Sequence, residues 1–191
     1  MANQAKFVGS IQHTEDTLQR LFKTEYRTYH QLRILTQLAV GFAMAALALT
    51  VEMDRILQAV LLLIGCLLMI GGDFPASVRA DKAVDDRKGN LPKNVCSFFG
   101  GSLELSGEGS MRLKYDRFQR LVEDNEYLYL FLGSKSVCMI DKATVKGGSA
   151  EELKAFVAER TGLAWRRNRS FFTMNLADLR QMLRDRRAKR P

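Results

Sequence analysis

Histidine is nearly missing from this sequence: His13 and His30 are the only two in 191 residues. Both lie ahead of the first long apolar run, outside the region that reads as a folded domain. Neither is well placed as a general base. Cysteine is scarce too. Cys66, Cys96 and Cys138 make no CxxC pair, and with two distant histidines they offer no zinc ligand set. Three scattered thiols are not a disulfide framework and suit a reducing cytosolic face. The one glycine-rich stretch, GGSLELSGEG over residues 100–109, lacks the spacing of a phosphate loop or a dinucleotide fold and reads as two hairpin turns. No catalytic constellation is visible, so no enzyme is expected, no metal and no cofactor.

Charge is absent from two long runs. Ile34 to Val51, ILTQLAVGFAMAALALTV, has 18 residues without a charge. Ile56 to Gly72, ILQAVLLLIGCLLMIGG, has 17. At about 1.5 Å per residue each spans roughly 26 Å, slightly short of a hydrocarbon core of about 30 Å. Only Glu52, Met53, Asp54 and Arg55 separate them, which forces an antiparallel hairpin. Two other readings, a buried hairpin in a soluble core and a cleaved signal peptide, are disfavoured. The runs are too long and too close for the first, and the first run starts too late for the second. Lys6, Arg20, Lys23, Arg27 and Arg33 precede the hairpin, and Arg79, Lys82, Arg87, Lys88 and Lys93 follow it. Arg55 stands alone in the connection. The positive-inside rule then predicts an inner (plasma) membrane protein with both termini in the cytoplasm.

With no Asp, Glu, Lys, Arg or His in either run, the hairpin has none of the groups that transport pathways need. Gln37 and Gln58 fall at opposite boundaries. The first run is rich in small residues: Ala39, Gly41, Ala43, Ala45, Ala46 and Ala48. Such residues permit close helix approach, either to the second run of the same chain or to another copy.

Ahead of the hairpin, Thr14 followed by Glu15 and Asp16 starts a helix. Leu18, Leu21, Phe22, Tyr26, Tyr29 and Leu32 recur at helical spacing. This amphipathic helix would lie on the bilayer or pack on the soluble domain. His13 and His30 read as exposed helix positions. The organisation expected is a cytoplasmic segment 1–33, a hairpin 34–72, a juxtamembrane linker 73–94, a folded domain 95–162 and a basic tail 163–191.

In the domain, short alternating runs follow tight turns: Val95–Phe99, Leu103 with Leu105, Met111 to Tyr115, Phe118 to Glu123, Tyr127 to Leu132 and Ser136 to Asp141. That pattern means an antiparallel meander. Ser149 and Glu152 form a capping box, Leu153, Phe156 and Val157 an apolar stripe, and Gly162 a stop. The fold class is therefore α+β: a two-helix transmembrane hairpin plus a pleckstrin-homology-like half-barrel closed by a C-terminal helix.

The block from residue 97 to 160 resembles the bacterial YcxB-like proteins. The resemblance rests on Phe99, Leu103 and Leu105 at its opening, Tyr115 before a short strand, and the aromatic-aliphatic strand Tyr127 to Leu132. It extends to Ile140-Asp141-Lys142, where the family usually has proline in the middle, and to Glu151-Glu152-Leu153 in the helix. With the two spans it covers roughly residues 30 to 160. These are packing positions. They imply the fold and carry no functional residues across.

The tail holds the whole charge excess. From Arg160 onward there are ten Arg or Lys against Asp178 and Asp185, and the remainder has 19 basic and 19 acidic residues. Asn175 starts a last helix, with Leu176, Leu179, Met182 and Leu183 on its apolar face. Trp165, Arg166, Arg167, Arg169, Arg180, Arg184, Arg186, Arg187, Lys189 and Arg190 are the candidate lipid- or partner-binding residues. Such a segment suits an anionic leaflet, docking on the protein itself or a sister subunit, or, least of all, nucleic acid. Two functional classes remain: a membrane-anchored binding or scaffold module, and a homo-oligomeric assembly that forms a pore or perturbs the bilayer. A third option is an accessory subunit of a larger membrane complex.

Overall fold

The computed structural model describes residues 4–87, 90–107, 109–134 and 136–168. Its first element is one the sequence analysis did not anticipate, strand β1, Phe7–Gln12. The stretch F-V-G-S-I alternates, with Phe7, Gly9 and Ile11 buried, as a half-buried strand requires. β1 pairs antiparallel with β2, Lys93–Phe98, in register from Phe7 opposite Phe98 to Gln12 opposite Lys93. Everything between, including both apolar helices, is spliced into this one strand pair. The described part of the segment 1–33 is therefore built into the domain and is not free-standing.

α1, Glu15–Tyr29, follows β1. Thr14 and Thr17 cap it reciprocally, with Glu15 and Asp16 in the first turn. α2, Gln31–Thr50, carries the first apolar run. Asp54 caps α3, Arg55–Ile70, accepting from the Ile56 amide at 2.9 Å. A 3-10 turn, Gly71–Asp73, then passes the chain to α4, Phe74–Asp86, with Pro75 in its first turn where no amide donor is needed. The expected linker 73–94 is thus mostly helix, because Ala76 and Ala80 repeat at helical spacing and are buried against α1. Gln31–Thr50 and the continuous run Arg55–Asp86 are long and apolar enough to cross a membrane. Only 17% and 11% of their most apolar stretches are buried within the chain, unlike core helices of a soluble fold. Phe42, Leu49, Ile56, Leu63 and Leu67 all face outward.

After β2 come β3, Ser102–Ser106, and β4, Ser110–Lys114, completing a sheet in the order β1-β2-β3-β4. A 3-10 turn, Tyr115–Arg117, leads to β5, Arg120–Glu123, then β6, Tyr127–Phe131, and β7, Val137–Asp141. α5, Ala150–Thr161, has the Ser149–Glu152 capping box and ends at Gly162, whose φ of 67° is the left-handed cap that favours glycine. A last short strand, β8, Trp165–Arg167, pairs parallel with β5, so the second sheet runs β7-β6-β5-β8.

β1 also stitches the two sheets together. Val8 and Lys146 exchange backbone hydrogen bonds at 3.0 and 2.8 Å, and the Thr144 hydroxyl donates to the Ser10 carbonyl at 2.7 Å. A Cβ on Gly9 would stand 2.5 Å from Ile140 Cγ2, so glycine here is a close-approach requirement. Both sheets and α5 fill one core, including Phe7, Phe98, Leu103, Leu121, Leu128 and Phe156. The outer face of the second sheet has its own cluster, Val122, Tyr129, Phe131 and Met139, joined by Ile11 of β1, and it is covered by Leu21 and Tyr29 of α1. α1 therefore packs on the domain and on α4. His13 differs from its expected place. It precedes the helix and is buried, with Nε2 3.2 Å from Asn94 Nδ2. Burial, then the nearby Arg87 guanidinium, hold its pKa below the ordinary histidine value. His30 is exposed, at the joint of α1 and α2.

Candidate functional site

Three places collect the residues singled out above. The first is the seam of the apolar hairpin. α2 and α3 meet at Gly41 and Gly65: a Cβ on either would lie 2.8 Å from the carbonyl oxygen of the other. Only glycine allows that approach. Gly41 and Ala48 are buried and Ala45 half-buried along this line, whereas Ala39, Ala43 and Ala46 lie on the outward face. The small residues thus divide into an inner set along the seam, Gly41, Ala45 and Ala48, and an exposed outer set, Ala39, Ala43 and Ala46. Two amides clasp the ends. Gln58 Nε2 donates to the Ala48 carbonyl at 2.8 Å, and Gln37 Nε2 to the Leu68 carbonyl at 3.1 Å.

The second place is the neck formed by α1 and α4, where the apolar helices join the domain. The Arg27 guanidinium holds both carboxylate oxygens of Asp73, and Arg79 Nη1 lies 3.3 Å from Glu25 Oε1. Arg79 also lies over the rings of Phe22 and Tyr26. Tyr26, Ile34 and Ala76 form the small core beneath. These ion pairs are shielded more than ordinary surface pairs, since Arg27 and Asp73 are about three quarters covered.

The third place is the root of the basic tail. Trp165 is half-buried: its ring packs on the main core and Nε1 donates to the Lys154 carbonyl at 2.9 Å. It is an anchor of the fold and is not displayed for a ligand. Arg166 and Arg167 are exposed, and Arg167 Nη2 donates to Asn125 Oδ1 at 2.9 Å. Asn168 closes the junction, its amide bonding the Glu123 carbonyl and its side chain the Thr24 hydroxyl at 2.7 Å. Arg169, Arg180, Arg184, Arg186, Arg187, Lys189 and Arg190 lie outside the described residues, as does the helix expected from Asn175.

Behind β8 sits an ionic knot that the sequence analysis missed. Glu123 accepts from Lys142 at 3.0 Å and Lys154 at 2.9 Å, and Lys142 Nζ also donates to the Asp124 carbonyl at 2.6 Å. Burial works against the charged form of Glu123, but the two ammonium groups outweigh it and hold its carboxyl below the ordinary glutamate value of 4.5. Such a group stabilises the fold above its unfolded pKa and loses that contribution as pH falls through its folded one. Glu123→Gln is therefore expected to melt lower than the parent chain near neutral pH. The difference should vanish progressively below about pH 4.5, in a melting series followed by circular dichroism. A gap that stayed constant into the acid range would refute the pairing.

Among the described residues no group of three or more His, Cys, Asp or Glu could hold a metal ion. Asp141, where the resembled family usually has proline, caps the 3-10 turn Lys142–Thr144 by accepting from the Ala143 amide at 2.8 Å. The departure thus replaces a rigid ring with a side-chain cap.

No curated protein and no solved structure matches the chain. A family model described as YcxB-like protein does match, over residues 103–157. That stretch excludes β1, the hairpin and β2, so the resemblance read over residues 30 to 160 is matched in the domain alone. It is the YcxB-like family that this chain resembles, from Leu103 in β3 to Val157 in α5, the stretch that supplies most of the main core.

Proposed function

We propose that the chain is a non-enzymatic, membrane-anchored binding or scaffold module, acting at the cytoplasmic face of the inner (plasma) membrane through a pleckstrin-homology-like domain and a basic tail. The observation that carries this reading is the splice. β1 and β2 flank the hairpin and pair with each other, so both ends of the hairpin and the domain lie on one side, the side that the Lys and Arg bias makes cytoplasmic. The neck fixes the domain to the spans, so a partner bound there is held at a set height. A four-strand sheet, three more antiparallel strands and a helix are in the order of the pleckstrin-homology fold; β8 is an addition to it. The absence of charge inside the hairpin argues for an anchor.

The test compares the full chain with one ending at Asn168, each purified in mild detergent. This truncation keeps Trp165, which the fold needs. The full chain is expected to retain anionic phospholipid or a stoichiometric partner protein that the shortened chain loses. Equal retention, or none by either, refutes the tail as the binding element.

The outward face of Ala39, Ala43 and Ala46 favours a second reading, a homo-oligomer of hairpins that forms a pore or perturbs the bilayer. A detergent-corrected mass equal to the 21.6 kDa chain would sink it.

A further inference from the structure

Contacts with α1 give the direction of each strand in the second sheet. β5 starts beside the end of α1 that joins α2. There the Arg120 guanidinium donates to the Thr28 carbonyl and lies 4.5 Å from the Tyr29 ring centroid. Just beyond its far end, Glu126 pairs with Arg20, two turns further up α1. β5 therefore runs away from α2, and the residues immediately before Arg120 lie on the α2 side. β6 runs the other way and delivers Phe131 to Tyr29, with ring centroids 5.7 Å apart. The connection between β4 and β5 thus hangs toward the apolar helices.

α1 ends at Tyr29 and α2 starts at Gln31, three residues before the apolar run, so residues 114–119 lie on the side of the domain nearest the start of that run.

This connection is rigid and basic. Tyr115 and Phe118 point inward and are buried, and the Tyr115 hydroxyl donates to the Phe99 carbonyl at 2.8 Å. Lys114, Asp116, Arg117 and Gln119 are left exposed. Arg160, exposed at the end of α5, lies close by: its guanidinium is 5.5 Å from the Phe156 ring centroid, and that ring packs edge-on against Tyr115 with centroids 6.0 Å apart. Three basic groups thus surround one acid, Asp116, on this face. The opposite end carries both signs, with Glu15, Asp16, Asp85, Asp86 and Glu126 interspersed with Arg20, Arg87 and Lys93, all exposed.

We propose that the β4–β5 connection, through Lys114 and Arg117 with Arg160 beside them, is a contact surface for anionic phospholipid headgroups. The proposal rests on the membrane reading above but not on the tail. It makes the folded domain itself a lipid-reading element.

The experiment uses the full chain in nanodiscs of phosphatidylcholine with or without phosphatidylglycerol, and reads amide hydrogen exchange across residues 114–119. Exchange there is expected to slow when phosphatidylglycerol is present, by about fivefold for each basic residue engaged. It should return to the phosphatidylcholine rate in Lys114→Gln/Arg117→Gln, whose substitutions are exposed and leave the core intact. Free glycerophosphate added to phosphatidylcholine discs should change nothing, since it lacks a leaflet. The chain ending at Asn168 should keep the protection. Equal exchange in the two discs overturns the proposal, as does equal slowing by free glycerophosphate. Loss of protection with the tail also overturns it, and would leave the tail reading standing.

Discussion

Gly65→Leu is expected to force the two apolar helices apart and to be the most damaging single change in the hairpin. At Gly65 a Cβ would meet the Gly41 carbonyl oxygen at 2.8 Å and the Ala45 amide nitrogen at 3.2 Å. Both obstacles are backbone, so no rotamer change relieves them. Overpacking where neighbours can adjust costs about 1–3 kcal/mol, and here the whole helix pair must separate. Separation also stretches the Gln37 and Gln58 clasps, each worth about 0.6 kcal/mol. Gly65→Ala should fall between leucine and the parent. Gly71→Ala is the control, because the nearest atom to its added Cβ is Gln37 Nε2 at 4.0 Å. Thermal unfolding in detergent, followed by loss of monodisperse protein, ranks the series. A leucine variant that melts with the parent would refute the close packing.

Phe7→Ala is expected to unfold the domain, although Phe7 is only six residues from Met1 and next to described positions that are exposed. Phe7 is 5% exposed, its ring centroid lies 5.5 Å from that of Phe156, and β1 supplies one edge of the first sheet. Truncating a core phenylalanine costs about 3–5 kcal/mol. That is a large share of the 5–15 kcal/mol that holds a domain of this kind together. Gln12→Ala, exposed on the same strand, should cost little. Limited proteolysis of the full chain in detergent separates the outcomes: Phe7→Ala should expose cleavage sites in residues 93–167 that the parent protects. Protection equal to the parent would mean that β1 is dispensable.

These two sites show what could be read before the fold was known. The hairpin was legible because absence of charge over 17 and 18 residues is a strong signal. The glycine contact was not, since Gly41 and Gly65 sit in runs containing other small residues and only the crossing point selects them. The β-meander and α5 were legible from alternation, turns and the Ser149–Glu152 box. β1 was missed although Phe7, Gly9 and Ile11 alternate, because its partner strand lies beyond the hairpin and a single short run carries little weight. α4 was missed because its charges resemble those of a linker. Only the packing of Ala76 and Ala80 on α1 makes it a helix. Trp165 was misplaced by composition. An aromatic among arginines suggests a ligand-facing surface, but β8 pairing turns that ring inward. The Glu123 knot joins residues from three elements, and no local pattern announces it.

The splice between β1 and β2 also orders biosynthesis. β1 is made first and has no partner until both apolar helices have been synthesised. Its hydrogen-bonding edge stays unpaired through that interval. Closing so long an intervening segment as free coil would be entropically slow. On the membrane reading proposed above, a hairpin already inserted in the bilayer removes most of that search, because it returns residue 93 to within reach of residue 12. Membrane insertion would then act as the nucleating step for the domain. A chain whose two apolar helices had not yet paired would leave the edges of β1 and β2 open to other strands.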